Sequence, residues 1–338
     1  MSNCIGLDIS KSTINVHIPK GSLDLEIQNS KKDIKSLFSK LKKIYKKEIK
    51  ELIFIYEPTG SYSYLLTQFC ALKEIKVFMV NPKQSHNFAK AIGQRGKCDK
   101  VDAKMLSLCK SIAREGEIKV PVINRVEQEI KELIGYYKFT IKQRVQASNH
   151  LESIKIKDGS LFAIKDLEKE IKNFTCKEKV IITKIKEIIE NDTNLHSKFI
   201  NIKSIVGIGD IAAISLIHLF IKYPNANQRE IVSLSGLDPI ERVSGSSIRG
   251  KSRISKAGSR LYRGSLFMSS MVAIRYNNEI KLFYDRLKDN GKHTTVAQVA
   301  VMKKIIVIAH SLYKNDCDYD AVFYQKQCGN YEEIALVA

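Results

Sequence analysis

The first hundred or so residues mix two hydrophobic patterns. Cys4–Ile9 is a continuous apolar run, whereas Thr13–Ile18 and Ser22–Ile27 alternate apolar with polar, and Gly21-Ser22 supplies a turn between the last two. This predicts three short strands in a meander. Lys31–Tyr45 then sets Ile34, Leu37, Phe38, Leu41 and Ile44 at helical spacing. A strand (Leu52–Tyr56), a helix (Tyr62–Leu72), a strand (Lys76–Val80) and helical segments to about Arg114 follow. The order βββαβαβα predicts a mixed sheet flanked by helices.

The pattern then changes. No proline lies between Val122 and Tyr223. Within that stretch Val126, Ile130, Leu133, Tyr137, Ile141 and Val145 recur at steps of three and four, as do Leu161, Ile164, Leu167, Ile171 and Phe174, followed by Ile181, Ile185, Ile188 and Ile189. Asp158-Gly159 marks a break between two long helices. The prediction is an antiparallel hairpin or coiled coil, with oligomerisation as a use for it and an ordinary helical bundle as the plainer alternative. From Ile202 to about Lys314 a second compact, helical domain is expected. It opens on Ile205-Val206-Gly207-Ile208-Gly209-Asp210-Ile211-Ala212. Gly207 and Gly209 suit the tight turn of a helix-hairpin-helix, whose backbone N–H groups can face a DNA phosphate; a glycine that merely ends a helix is the alternative. The expected division is 1–118, 119–200, 201–314 and an extension at 315–338.

Composition narrows the class. The 338 residues carry 56 Lys+Arg against 36 Asp+Glu, a formal net charge of +20, and 44% are hydrophobic. Disorder throughout is excluded, and a polyanionic partner is the first expectation. No uncharged apolar run approaches a membrane span, and MSNCIGLDIS lacks the basic and apolar regions of a secretion signal. The seven cysteines form no CxxC or Cys/His cluster, which argues against zinc and a disulfide framework and fits a reducing cytoplasm. Charge placement is more informative than its total. Of the basic residues only 12 are Arg, and five of these (Arg242, Arg249, Arg253, Arg260, Arg263) fall between Arg242 and Arg263, where Lys251 and Lys256 join them; no acid appears from Arg242 through Asn278. The guanidinium fork suits phosphate, so this stretch is the expected nucleic-acid contact, with a solvated basic face as the alternative. The last 24 residues run acidic instead, through Asp316, Asp318, Asp320, Glu332 and Glu333.

Four acids stand out. Asp8 ends the first apolar strand, and Glu57 ends the fourth, just before the turn residues Pro58 and Gly60. A carboxylate delivered by a buried strand is unfavourable unless something binds it. Asp99 and Asp102 are three apart at the start of a helix and share a face. Carboxylates converging from two strands and a helix are what a two-Mg²⁺ phosphoryl-transfer site needs, because their oxygens are hard and can bridge ions. Taken singly, Asp99 has a helix cap as its plainer alternative and Asp102 a surface acid. Mixed sheets of this kind occur in the ribonuclease-H-like and actin-like ATPase superfamilies, and Asp8 alone would also suit a phosphate loop of the latter. A second basic feature is Ser244-Gly245-Ser246-Ser247-Ile248-Arg249-Gly250-Lys251-Ser252-Arg253-Ile254-Ser255-Lys256-Ala257-Gly258. A serine there could attack a phosphodiester, although a phosphate-binding loop without covalent chemistry fits the spacing as well.

These motifs in this order resemble the Piv-type, DEDD recombinases of bacterial insertion sequences, the IS-one-ten family of bridge-RNA-guided recombinases. The resemblance runs from about Ile5 to Tyr313 through "IGLDISKS", "YEPTGSY", "VNPKQSHNFAKAIGQRGKCDKVDAKML", "IVGIGDIAA", "LSGLDP" and "SGSSIRGKSRISKAGSRLYRGSL". It implies a RuvC-like N-terminal domain with Asp8, Glu57, Asp99 and Asp102 as the Mg²⁺ ligands (Mn²⁺ as a substitute), a coiled-coil middle and a mostly helical C-terminal transposase domain. It further implies a nucleophilic serine matched to Ser244, with Ser246 and Ser247 as competitors. Its implied partners are donor and target DNA, a structured non-coding guide RNA, and further copies of the chain, dimers pairing into a tetramer with composite active sites. No membrane is involved; the setting is the bacterial cytoplasm, at the nucleoid. The expected activity is therefore RNA-guided recombination through a serine nucleophile. A Mg²⁺-dependent junction nuclease using water is the nearest alternative. An actin-like ATPase is disfavoured because no second Asp-x-Gly-Gly loop follows, and a plain nucleic-acid-binding module with structural acids is the blandest reading.

Overall fold

The computed structural model describes residues 3–93, 99–244 and 248–321, and the side chains of 3–93, 101–240 and 252–321. It divides into two compact units, Met1–Asn124 and Arg125–Ala338.

The first unit is built on one sheet. Its strands are β1 (Cys4–Ile9), β2 (Thr13–Ile18), β3 (Leu23–Gln28), β4 (Ile53–Tyr56) and β5 (Lys76–Met79), in the order β3-β2-β1-β4-β5. β1 runs antiparallel to β2 and parallel to β4, which runs parallel to β5. The central β1 and β4 are largely apolar because both of their faces are covered; β3, at the edge, keeps the alternation of a half-exposed strand. One face receives α1 (Lys31–Tyr45) and α2 (Tyr64–Leu72), whose Ile34, Leu37, Leu41 and Leu66 are buried with Leu7, Val16 and Phe54. The other receives α4 (Asp99–Leu108), whose Met105 and Leu106 join Ile53, Ile55 and Phe78. α3 (Pro82–Ala91) links β5 to this layer, started by Asn81 as cap and Pro82 in its first turn. A meander followed by two further parallel strands, with helices on both faces, is the mixed sheet expected from the hydrophobic pattern and the RuvC-like, ribonuclease-H-like arrangement that the family resemblance implies.

Gly6 explains how α4 lies so close to β1. A Cβ at that position would sit 1.9 Å from the Ala103 carbonyl oxygen and 2.6 Å from the Ser107 nitrogen. Only a residue without a side chain lets the helix backbone rest on the strand.

The second unit begins with the predicted hairpin. α5 (Arg125–Ile156) and α6 (Leu161–Glu190) pack on each other along their length, and the chain reverses where Asp158 takes a left-handed φ of 49°. The bases of both helices enter one core with α7 (Thr193–Lys203), α8 (Asp210–Lys222), α9 (Gln228–Ser235), α10 (Arg260–Tyr276), α11 (Asn278–Asp289) and α12 (Thr294–Asn315). Two antiparallel strands, β6 (Pro239–Ser244) and β7 (Ile248–Ile254), project between α9 and α10. By length and composition α12 could cross a membrane. Its Val301, Ile305, Ile306, Ala309 and Leu312 are instead buried in the domain core, and Lys303 and Lys304 interrupt the apolar run. The chain after α12 folds back: Asp316 accepts hydrogen bonds from Ser197 (2.9 Å) and Asn201 (2.8 Å) on α7. The rest of the expected acidic extension, from residue 322 on, lies outside the described residues.

Candidate active site

Sheet register places the first two acids. Leu7 pairs with Tyr56 across the parallel β1 and β4, so Asp8 and Glu57, each one residue further along, leave the same end of neighbouring strands. In an open sheet of this kind that end is where ligands bind. The two loops that follow are stitched together by Asn29, whose Nδ2 donates to the carbonyl oxygens of Ser10 and Tyr62, both at 3.0 Å. Glu57 is itself held: the Ser85 hydroxyl on α3 donates to its Oε1 at 2.5 Å. Asp102 is half-buried on α4, next to the Ala103 that rests against Gly6. The backbone of Asp99 opens α4, while its side chain lies outside the described residues. Oxygen donors from two strands and a helix suit a hard divalent cation. Among the described residues no three His, Cys, Asp or Glu side chains form a metal cage; the side chain of Asp99 is not among those residues.

The basic stretch of the second unit is arranged around glycines. Gly236 ends α9 in the left-handed region at φ 71°. A Cβ on Gly258 would meet the Leu234 carbonyl oxygen at 1.9 Å, so the chain after β7 lies directly on the end of α9. Arg263 braces this contact. Its Nη1 donates to the carbonyl oxygens of Ser235 (2.9 Å) and Gly258 (2.8 Å), and burial pulls its guanidinium below its ordinary value. Ser255 donates its hydroxyl to Asp238 in the same corner. The two segments that the sequence marks separately, Leu234–Pro239 and Ser255–Arg263, are thus one packed unit. Arg253, Lys256 and Arg260 are exposed on it. The side chains of Arg242, Ser244, Arg249 and Lys251 lie outside the described residues, as do Gly245, Ser246 and Ser247 entirely. The backbone of Ser244 ends β6 opposite Ile248.

The glycine turn before α8 differs from expectation in one respect. Gly207, at φ 102°, faces α10 rather than open space, because a Cβ there would lie 2.7 Å from the Ala273 nitrogen. Gly209 is open and caps α8. Asp210, the first residue of that helix, is paired with Lys203 (2.5 Å) and Lys186 (3.3 Å), and the Lys203 hydrogen bond holds its carboxyl below the usual range.

A DEDD-type IS110 transposase model matches residues 5–154, and a model described as Transposase IS116/IS110/IS902 family matches residues 200–285. The chain belongs to the IS116/IS110/IS902 transposase family. It is an enzyme of DNA strand cleavage and rejoining. The chain is also similar to the pilin gene-inverting protein of Moraxella bovis, 25% identical over 279 residues that cover 80% of this chain and 82% of the relative. The pilin gene-inverting protein of Moraxella lacunata is 26% identical over the same coverage.

These findings correct the expected mechanism. The first transposase match takes in β1, β4 and α4, and with them every acid of the set. It supports the RuvC-like unit as the cutting centre. Neither the matches nor the described structure supports a serine nucleophile or a guiding RNA, and the reading of an RNA-guided reaction through Ser244 gives way to cleavage by the acid-bearing, RuvC-like unit. The physical reason is one of placement. Sheet register brings Asp8 and Glu57 to one edge, whereas the side chain of Ser244 lies outside the described residues.

Sequence reasoning missed Ser85, Asn29 and Gly6. Only Gly6 left a signal, as a lone glycine inside a strand pattern. The other two sit on separate elements, and nothing local marks them.

Proposed function

We propose that this transposase cuts DNA by RuvC-type, divalent-metal-dependent hydrolysis, with Asp8, Glu57, Asp99 and Asp102 as the metal-holding acids and Mg²⁺ as the physiological ion. The observation that carries this is the emergence of Asp8 and Glu57 from adjacent parallel strands at one sheet edge, with Asp102 on the helix laid across β1. Mg²⁺ held by these acids would supply charge neutralisation at the scissile phosphate and a more acidic water. Asp8 and Glu57, fixed by strand register, define where the phosphate must lie, and Asp102 approaches from the helical side. Water adds to phosphorus as the P–O bond to the leaving strand breaks, and that strand departs as a hydroxyl. Attack of such a hydroxyl on a second phosphodiester forms one P–O bond as another breaks, so rejoining needs no nucleotide cofactor. Arg253, Lys256 and Arg260 hold the DNA backbone. The enzyme works in the cytoplasm as a homo-oligomer, a use that suits the exposed Ile156, Leu161 and Phe162 at the hairpin tip.

Cleavage of a labelled DNA junction tests the proposal. Wild-type enzyme cuts with Mg²⁺ and not with EDTA, and Asp8→Asn loses more than roughly 100-fold in rate while its melting temperature without metal is kept. A protein–DNA adduct that survives denaturation, or full activity in Asp8→Asn, overturns it.

A further inference from the structure

We propose that Ser85 is the positioning residue of the metal centre: its hydroxyl pins one carboxylate oxygen of Glu57, so that the other oxygen is the one offered to the cation. This rests on the reading of Glu57 as a metal-holding acid.

Three observations support it. Ser85 is 1% exposed, so its hydroxyl has no access to solvent and must find its partner inside the protein. Two acceptors lie within reach, Glu57 Oε1 at 2.5 Å and the Pro82 carbonyl oxygen at 3.0 Å. A hydroxyl has one proton, and the shorter, charged acceptor takes it. Finally, the element that carries Ser85 is itself rigidly started. Asn81 caps α3 by accepting from the Lys83 N–H at 2.9 Å, Pro82 presets the first turn, and the Ser85 N–H donates to the Asn81 carbonyl at 3.0 Å. The hydroxyl is therefore fixed in space before any ion arrives.

The consequence is specific to Glu57. A glutamate side chain has three rotatable bonds beyond its backbone, and Glu57 follows the last residue of β4, so that strand register sets its backbone position but not its side-chain torsions. Left alone it would sample several rotamers and could bind an ion through one or both oxygens. With Oε1 occupied it has one orientation, and its other oxygen accepts no side-chain hydrogen bond from the described residues. Outer-shell partners of this kind orient metal-binding carboxylates, and their loss weakens metal affinity about 10- to 100-fold.

Calorimetric titration of the full chain with Mn²⁺, paired with melting in EDTA, tests the proposal. Ser85→Ala is expected to weaken Mn²⁺ binding about 10- to 100-fold, with melting in EDTA close to wild type. Its DNA cleavage should recover as Mg²⁺ is raised, shifting the half-saturating concentration rather than the plateau. If Ser85→Ala does not fold, Ser85→Cys keeps the volume and a weak S–H donor and should show the same shift at smaller size. Wild-type Mn²⁺ affinity in the folded variant overturns the proposal, as does a lowered plateau that Mg²⁺ cannot restore. Glu57→Gln separates the two readings. If it loses Mn²⁺ binding while Ser85→Ala does not, only the role of Ser85 falls. If Glu57→Gln itself binds Mn²⁺ normally, Glu57 is not a ligand and both readings fall.

Discussion

The two units position their chemistry by different means. In the first, Asp8 and Glu57 are delivered by strands whose backbones are hydrogen-bonded on both sides. Their separation is thus a property of sheet register. In the second, Arg253, Lys256 and Arg260 ride on a two-stranded ribbon and the corner after it, held by glycine contacts and by Arg263. On the proposed function, the difference follows from what each binds. Carboxylates sharing an ion tolerate only small displacements. Cations that neutralise a DNA backbone act over several ångströms and can be placed more loosely. A rigid parallel pair suits the first task and a projecting basic ribbon the second.

That comparison can be tested where each unit is tightest. The largest effect is expected for Gly6→Ala, which drives a methyl into the Ala103 carbonyl across β1 and α4. It should destabilise the first unit by about 3 kcal/mol, read by denaturant unfolding, because backbone on both sides resists the shift. A wild-type midpoint would mean that α4 can slide off the strand, and the argument for fixed acid geometry would fail.

Next comes a contrast between two arginines of the same stretch. Arg263→Ala leaves the Ser235 and Gly258 carbonyls without their donor and should lower stability by about 1–3 kcal/mol. Arg253→Ala should stay within about 0.5 kcal/mol of wild type in stability, yet weaken DNA binding and reduce its salt slope by about 1. Equal effects of the two on DNA binding would show that the basic corner is not divided into brace and contact.

A smaller effect concerns the root of the hairpin. His218 on α8 lies 3.1 Å from Glu127 on α5 and 2.9 Å from the Tyr262 hydroxyl on α10, tying three helices together. The His218 hydrogen bond holds the Glu127 carboxyl below its ordinary value of 4.5. A carboxyl lowered on folding stabilises the protein above its ordinary range and loses that contribution as pH falls through the lowered value. Glu127→Gln should therefore be less stable than wild type near neutrality by about 1 kcal/mol. The difference should vanish in acid, as followed by melting temperature against pH. A difference that is constant with pH would exclude a contribution from the ionised Glu127 carboxylate.

The smallest is a labelling pattern. The buried Cys4, Cys70 and Cys109 all belong to the first unit, and burial pushes Cys70 and Cys109 up to about 12. Cys176 and Cys317, in the second unit, are exposed. At mildly alkaline pH a thiol reagent should modify the latter pair and spare the former three, as read by peptide mass. Early modification of Cys109, whose thiol the charge of the Glu57 carboxylate also raises, would show that the sheet edge opens.

Much of this organisation could be read from the chain alone. Alternation over Thr13–Ile18, the helical spacing in Lys31–Tyr45 and the Asp158-Gly159 break each correspond to an element found where the pattern puts it. The acids at the ends of β1 and β4 were legible for the same reason: hydrophobic periodicity records which residues face a core, and a charge that interrupts it stands out. What periodicity does not record is which distant element fills a given space. That Gly6 receives α4, that Gly207 faces α10, that Arg263 turns inward while Arg253 and Arg260 stay exposed, and that Ser85 reaches Glu57 all depend on contacts between separate elements. Local sequence determined the elements and the placement of charge along them. Tertiary packing decided which side chains are braces and which remain available to DNA or a cation, because a hydrogen-bond partner is set by proximity in space, which a local pattern does not carry.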